Sequence, residues 1–239
     1  MIPCVNEDGF NHRSPNSVAM DGKNLNRVFP GNIHGTLADV LAYTLMSEVV
    51  PFIDYVIDIH SGDAYEQLHP FVFALGACSD HVNQTSLQMA KQCNVDYIAI
   101  SMTTTGGFYN VCGSIGVPSI LIERGGMNDW NDAWVNQDKD DVINLLKDLK
   151  VVDGEATIYD PYIFDHVEYI RSPQTGLWLS QVYAGQTIAK DQCLGMITNV
   201  YGDLLASIEA KGRGVVLYQT HSLNAIKEGA LIAYGVYHD

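Results

Sequence analysis

The chain has 239 residues, 47% hydrophobic and 17% charged, enough apolar material for a sizeable core and too much for a disordered chain. Thirteen Lys and Arg against 28 Asp and Glu give a net charge of −15, a field that repels phosphate backbones and excludes nucleic acid as a natural partner. No apolar run reaches the roughly 18 residues of a membrane span, since the longest, Val49–Ile59, is broken by Pro51, Asp54 and Asp58. The first residues carry no basic region and no apolar signal core, which argues against a secreted precursor. Five cysteines without a C-x-x-C pair fit reduced thiols in a cytoplasmic protein, and argue against zinc held by cysteines.

In chain order, short apolar runs alternate with helix-like segments up to about residue 150. Thr36 can N-cap a helix over Leu37–Val49, with Asp39 as its capping-box partner. The run Val49–His60 follows, then Phe71–Leu75 and a helix capped by Ser79 that ends near Asn94. Next come the runs Tyr97–Ile100 and Val117–Ile122, and a helix over about Ala133–Lys150. Short, nearly continuous apolar runs mark strands buried on both faces, and their alternation with helices predicts an α/β fold with a mostly parallel sheet. After about residue 155 the helical pattern stops. Val167–Asp239 is a series of apolar stretches broken by glycines, which predicts a small all-β barrel or sandwich, with Ala184–Gly195 as a hairpin. The expected domains are therefore 1–155 and 156–239.

Four pieces of the first domain carry chemistry. Asp21-Gly-Lys-Asn-Leu-Asn-Arg-Val-Phe-Pro-Gly31 sets a neutral amide, Asn26, beside a bidentate cation, Arg27. That pair is a receptor for a carboxylate, or else a solvated Asx turn. Val56-Ile-Asp-Ile-His-Ser-Gly62 runs an apolar strand into His60. The carboxyl ends of strands in open α/β sheets face the ligand crevice, so His60 is a metal ligand, an acid–base group, or a histidine satisfied locally. Asp58 points to the same face as His60 and can support it. Val117-Pro-Ser-Ile-Leu-Ile-Glu-Arg-Gly-Gly126 places Glu123 at a second strand end, followed by glycines that let a ligand approach the backbone. Glu123 is a general-base candidate, or one half of a salt bridge with a nearby cation such as Arg124. Arg13 can add positive charge to an oxyanion, or stand as a surface arginine. In so acidic a chain, Arg13, Arg27 and Arg124 form a rare cationic set that marks where a carboxylate enters.

These strings, in this order, resemble the succinylglutamate desuccinylase and aspartoacylase family, a branch of the zinc-carboxypeptidase-like fold. The β tail, with Ser172-Pro-Gln-Thr-Gly176 and Ala184-Gly-Gln186, fits the resemblance too. It implies a three-layer α/β domain with a mostly parallel mixed sheet, followed by the all-β domain, and a Zn2+ cofactor. It implies that His60 is a zinc ligand and that Asn26 and Arg27 grip the substrate carboxylate. It further implies that Glu123 takes a proton from zinc-bound water and passes it to the leaving amine, and that Arg13 polarises the scissile carbonyl. One departure is large. The family's other two zinc ligands come from a His-x-x-Glu motif upstream of the Asn-Arg loop, and no His here has a Glu three residues on. The expectation is an N-terminally incomplete domain that starts at a strand over Met1–Asn6 and lacks an inner strand beside the one ending at His60. Such a chain holds little zinc and shows little activity.

The leading expectation is a zinc-dependent hydrolase that cleaves the amide or ester of an N-acyl amino-acid-like carboxylate. Its partner is a small molecule, with neither nucleic acid nor membrane involved, and the β tail serves as a cap or in a homo-oligomer. The alternative is a non-catalytic carboxylate-binding protein, supported by the absent His-x-x-Glu. A third reading takes Lys211, in Glu209-Ala-Lys-Gly-Arg213, as the modified lysine of a carrier domain. Tyr109, Tyr159 and Tyr162 are candidate phenols of the site.

Overall fold

The structure, a computed structural model, describes residues 1–14 and 16–238; Pro15, in the Ser14–Met20 loop, and the terminal Asp239 lie outside the described residues. In the first part the elements are α1 (Glu7–His12), α2 (Leu37–Thr44), β1 (Val56–His60), β2 (Glu66–Leu68), β3 (Phe71–Leu75) and α3 (Asp80–Ala90). They continue with β4 (Tyr97–Ser101), α4 (Phe108–Ser114), β5 (Ser119–Glu123) and α5 (Asp132–Asp148). Only strands follow: β6 (Tyr162–Phe164), β7 (Val167–Arg171), β8 (Gly176–Ser180), β9 (Thr187–Ile188) and β10 (Cys193–Thr198). The last four are β11 (Leu204–Glu209), β12 (Gly214–Thr220), β13 (Asn224–Ala225) and β14 (Ala230–Val236).

Five strands form one sheet in the order β1-β5-β3-β4-β6. Val56 donates to Pro118 O at 3.0 Å and Arg124 donates to His60 O at 3.1 Å. Starts thus meet starts and ends meet ends, so β1 and β5 run parallel. β4 and β6 are parallel as well, with Tyr97 opposite Tyr162. β1 is an edge strand of this sheet, and its Ile59 is 47% exposed. The remaining strands build two antiparallel sheets, β11-β10-β8-β13 and β2-β12-β14-β7, with β9 on β12.

By compactness the chain divides into two units. The first comprises residues 1–58, 74–90 and 101–121; the second comprises 59–73, 91–100 and 122–239. A cluster of Val18, Leu25, Phe29, Ala38, Ala42, Leu45 and Val111 fills the first unit. The second contains a cluster around Trp178, Leu194, Ile197 and Tyr234 and another around Phe71, Phe164 and Leu217. Each such fully buried large side chain contributes roughly 1.5–3 kcal/mol.

Capping chemistry explains where the helices start. The Asp39 carboxylate accepts from the Thr36 N–H at 2.9 Å at the head of α2, the expected capping interaction. The helix then runs on through a π-helical turn over Leu45–Val49. Asn131 caps α5 by accepting from Ala133 N at 2.9 Å and Trp134 N at 3.3 Å. α3 begins after Ser79 but stops at Ala90, short of Asn94. Past that point Lys91 O is taken by Tyr159 N and Asn94 N by Asp141, so the backbone is satisfied outside the helix.

Two local expectations are corrected. Met1–Asn6 is not a strand. Asn6 is the N-cap of α1, accepting from Gly9 N at 3.0 Å, and Glu7 and Asp8 occupy the favoured acidic first turn. Ala184–Gly195 is not a hairpin either: β9 pairs with β12, while β10 pairs with β8 and β11. Asp191 at φ 62 turns the chain from one antiparallel sheet to the other.

Candidate active site

The Asn26–Arg27 motif belongs to the first unit. Asn24 accepts from Asn26 N at 2.9 Å, an Asx turn, and residues Leu25–Arg27 form a single 3-10 turn anchored by the buried Leu25. The Asn26 side-chain oxygen accepts from Phe108 N at 2.8 Å, at the head of α4. Phe29 N donates to Gly106 O at 3.2 Å, and the Phe29 and Phe108 rings pack at 5.1 Å. With its carbonyl committed, Asn26 has its amide N–H groups left to offer a ligand. Arg27 is exposed, and its Nη1 donates to Asn26 O at 2.7 Å. Among the described residues no carboxylate pairs with Arg27.

Arg13 ends α1 in the left-handed conformation at φ 55, with its N–H on Phe10 O at 3.3 Å. It too is exposed and has no carboxylate partner among the described residues. Asp58 lies in the same unit. Its charge is felt by the buried Cys112 thiol, which burial first and Asp58 second push up to about 12.

His60 and Glu123 belong to the second unit, at the carboxyl ends of the neighbouring strands β1 and β5. The loops beyond them knit together. Gly62 N donates to Gly125 O at 3.4 Å, and Met127 N donates to Asp63 O and Glu66 O, each at 3.1 Å. Gly126 sits at φ 142, and a Cβ there would stand 2.3 Å from Glu66 O. This glycine therefore admits the chain's own loop, where the sequence had suggested a ligand.

Arg124 is corrected most. It is not part of an entry point for a carboxylate, because its guanidinium is already taken by carboxylates of α5. Its side chain is 1% exposed and is held by Asp138 and, at 2.7 Å, by Asp141. Burial pushes the Asp138 carboxyl up, while the charge and hydrogen bond of Arg124 pull it back. Lys211, the carrier candidate, is paired with Glu168.

The structure thus brings together Asn26 with Arg27, and His60 with Glu123, each pair within its own unit. Thr103–Gly107, the loop that leads into α4 against the Asn26 turn, is absent from the sequence expectations. A run of threonines and two glycines directly after an apolar strand is the signal that could have found it, since it repeats the pattern used for His60 and Glu123. Asn110, buried in α4, ties that loop down by donating to Thr103 O at 2.9 Å.

Among the described residues no group of three or more His, Cys, Asp or Glu side chains could hold a metal ion. A hydrolytic zinc site takes three protein side chains and a water. His60 offers one of the three, so the residues present do not fit a complete zinc centre. No helix among the described residues is long and apolar enough to cross a membrane.

Residues 1–149 match the family of succinylglutamate desuccinylase/aspartoacylase catalytic domains. A curated relative, the N-alpha-acetyl-L-2,4-diaminobutyric acid deacetylase of Halomonas elongata, is 25% identical over 197 residues. That match takes in 80% of this chain but only 58% of the relative's length. Among solved structures, the ectoine utilization protein EutE (DoeB) of Ruegeria pomeroyi, in a product-bound form, superposes with a TM-score of 0.89 at 21% identity. The superposition covers 99% of this chain and 74% of that one. A succinylglutamate desuccinylase/aspartoacylase of Rhodobacter sphaeroides gives 0.86 at 23% identity, covering 100% and 75%. At these identities the structural likeness carries the fold alone.

Proposed function

We propose, from the premise that the chain belongs to the succinylglutamate desuccinylase/aspartoacylase family, that it binds an N-acylated amino acid and supplies the general base for removal of the acyl group. The observation that carries this reading is Arg27, an exposed guanidinium with no carboxylate partner among the described residues, in a chain with 28 acidic side chains. A planar cation held beside an amide N–H donor matches a carboxylate in geometry and charge. The name of the Halomonas relative suggests the substrate class, an Nα-acetyl amino acid.

In this reading Asn26 and Arg27 hold the carboxylate, and Arg13 draws charge toward the scissile carbonyl. Glu123 takes a proton from the attacking water and returns it to the departing amine. His60 is one ligand of the zinc ion that the family resemblance implies; one ligand does not complete the centre, so the chemistry assigned here is confined to the chain's own groups. The α/β part is read as a zinc-carboxypeptidase-like domain and the antiparallel sheets as its all-β companion. Five free thiols support a cytoplasmic location.

The test is amine release from Nα-acetyl-L-2,4-diaminobutyrate with zinc added. Turnover is expected to be low, and Glu123→Gln is expected to abolish it. Persistence of the rate in that variant would remove Glu123 as the base. A second reading, a carboxylate-binding protein without turnover, is favoured by the single ligand His60. Binding of the same compound with no amine released, with or without zinc, would select it.

A further inference from the structure

We infer that Arg124 is a positioning residue, whose buried guanidinium, gripped from α5, fixes the ends of β1 and β5 and so holds His60 and Glu123 in place. The inference rests on the reading of Glu123 as the base. Its main chain makes the first link: Arg124 N, directly after β5, donates to His60 O, at the end of β1, at 3.1 Å. Its side chain makes the second. Arg124 directly follows β5, and alternation along extended chain turns its side chain to the face opposite that of Glu123.

On that side the guanidinium meets Asp138 through Nη1, and Asp141 at 2.7 Å and Asn94 O at 3.5 Å through Nη2. Asp141 is itself 1% exposed and also accepts from Asn94 N and Gln137 Nε2, each at 2.9 Å. Every arm of the clamp is thus held by a second partner or by the helix. A planar fork between two carboxylates can neither rotate nor slide, which a lysine ammonium could do.

The position in the chain gives the clamp its purpose. The next two residues, Gly125 at φ 86 and Gly126 at φ 142, have no side chain to pin. Arg124, directly after β5, is therefore the last residue before these two glycines that a side chain can anchor. A hydrophobic residue could fill the same space with less desolvation cost, so an ion cluster here points to a requirement for direction.

Carbon and nitrogen NMR of labelled protein reads the position of the two groups directly. The Glu123 carboxyl signal, assigned through Glu123→Gln, and the His60 ring signals would be followed in the native chain, Arg124→Met, Arg124→Lys and Asp138→Asn. Thermal unfolding would be recorded in parallel. In the folded Lys and Asn variants both signals are expected to move by more than a linewidth. Asn144→Ala serves as the control. It removes another buried polar side chain of α5, one that donates to Gln92 O and Thr157 O, and it is expected to lower the midpoint without moving them. Should Arg124→Met fail to fold, the other two variants carry the test. Folded Arg124→Lys and Asp138→Asn with both signals unmoved would overturn the inference. The signals need no turnover, so retained hydrolysis in Glu123→Gln would remove the base while leaving the positioning result standing.

Discussion

Arg27 and Arg124 each follow a polar motif residue, Asn26 and Glu123, and each looked like a cation awaiting an anion. Their surroundings differ in every respect that decides what an arginine does. Arg27 lies on a 3-10 turn in solvent, with one donor on its neighbour's carbonyl and no carboxylate partner among the described residues. Arg124 is buried, with a carboxylate on each arm of its fork. The first can exchange water for a ligand at little cost; the second has already been desolvated and paired, and removing either side leaves an uncompensated buried charge. Adjacency to a motif therefore says little about an arginine's role, and burial with partners says most.

The largest expected effect comes from Arg124→Met, which strands two aspartates. It should cost about 3–5 kcal/mol of stability in urea denaturation, whereas Arg27→Met, being exposed, should stay within about 0.5 kcal/mol. Equal costs for the two would show that burial does not separate these arginines.

Two pH effects sharpen that separation further. Burial raises the Asp138 carboxyl above its ordinary value of 3.8, against the pull of Arg124 and with a further push from Asp141. A carboxyl raised in the folded state favours folding while it is protonated, and that contribution is lost as pH rises through its folded value. The stability of Asp138→Asn relative to the native chain should therefore improve as pH climbs above about 4, measured by thermal midpoints across pH. Asp39, in the first unit, behaves oppositely. The hydrogen bond from Lys23, then those from the Thr36 backbone and side chain, hold its carboxyl below 3.8. That contribution is present above the ordinary value and lost as pH falls through the lowered one. Asp39→Asn should thus cost most at neutral pH and nothing in strong acid. A cost independent of pH would contradict the charge-based capping of α2.

Much of the fold was legible in the residues. The Thr36–Asp39 cap, the helix over 132–148 and four strands of the parallel sheet follow from capping pairs and apolar runs long enough to show a period. The three-residue strands were not legible. β6 joins the parallel sheet and β2 joins β12, and both pairings are tertiary choices that leave no periodicity behind. Asn6 escaped notice because a single cap residue outweighed an apolar start. At the candidate site, the apolar runs place His60 and Glu123 at strand ends, where the structure has them, and the same rule extends to Thr103–Gly107 after β4. It could not reveal that Arg124 is answered by residues 14 and 17 positions later, a pairing that exists only once α5 has packed.

Calorimetry tests whether Arg27 receives a substrate carboxylate. Nα-acetyl-L-2,4-diaminobutyrate and its carboxamide would be titrated into the native chain and into Arg27→Gln. A charge-assisted pair of this kind is worth roughly 10–100-fold in affinity. The carboxylate should bind more tightly than the carboxamide by about that factor, and Arg27→Gln should erase the difference. Equal binding of the two compounds to the native chain, or an undiminished preference in Arg27→Gln, would contradict that role of Arg27.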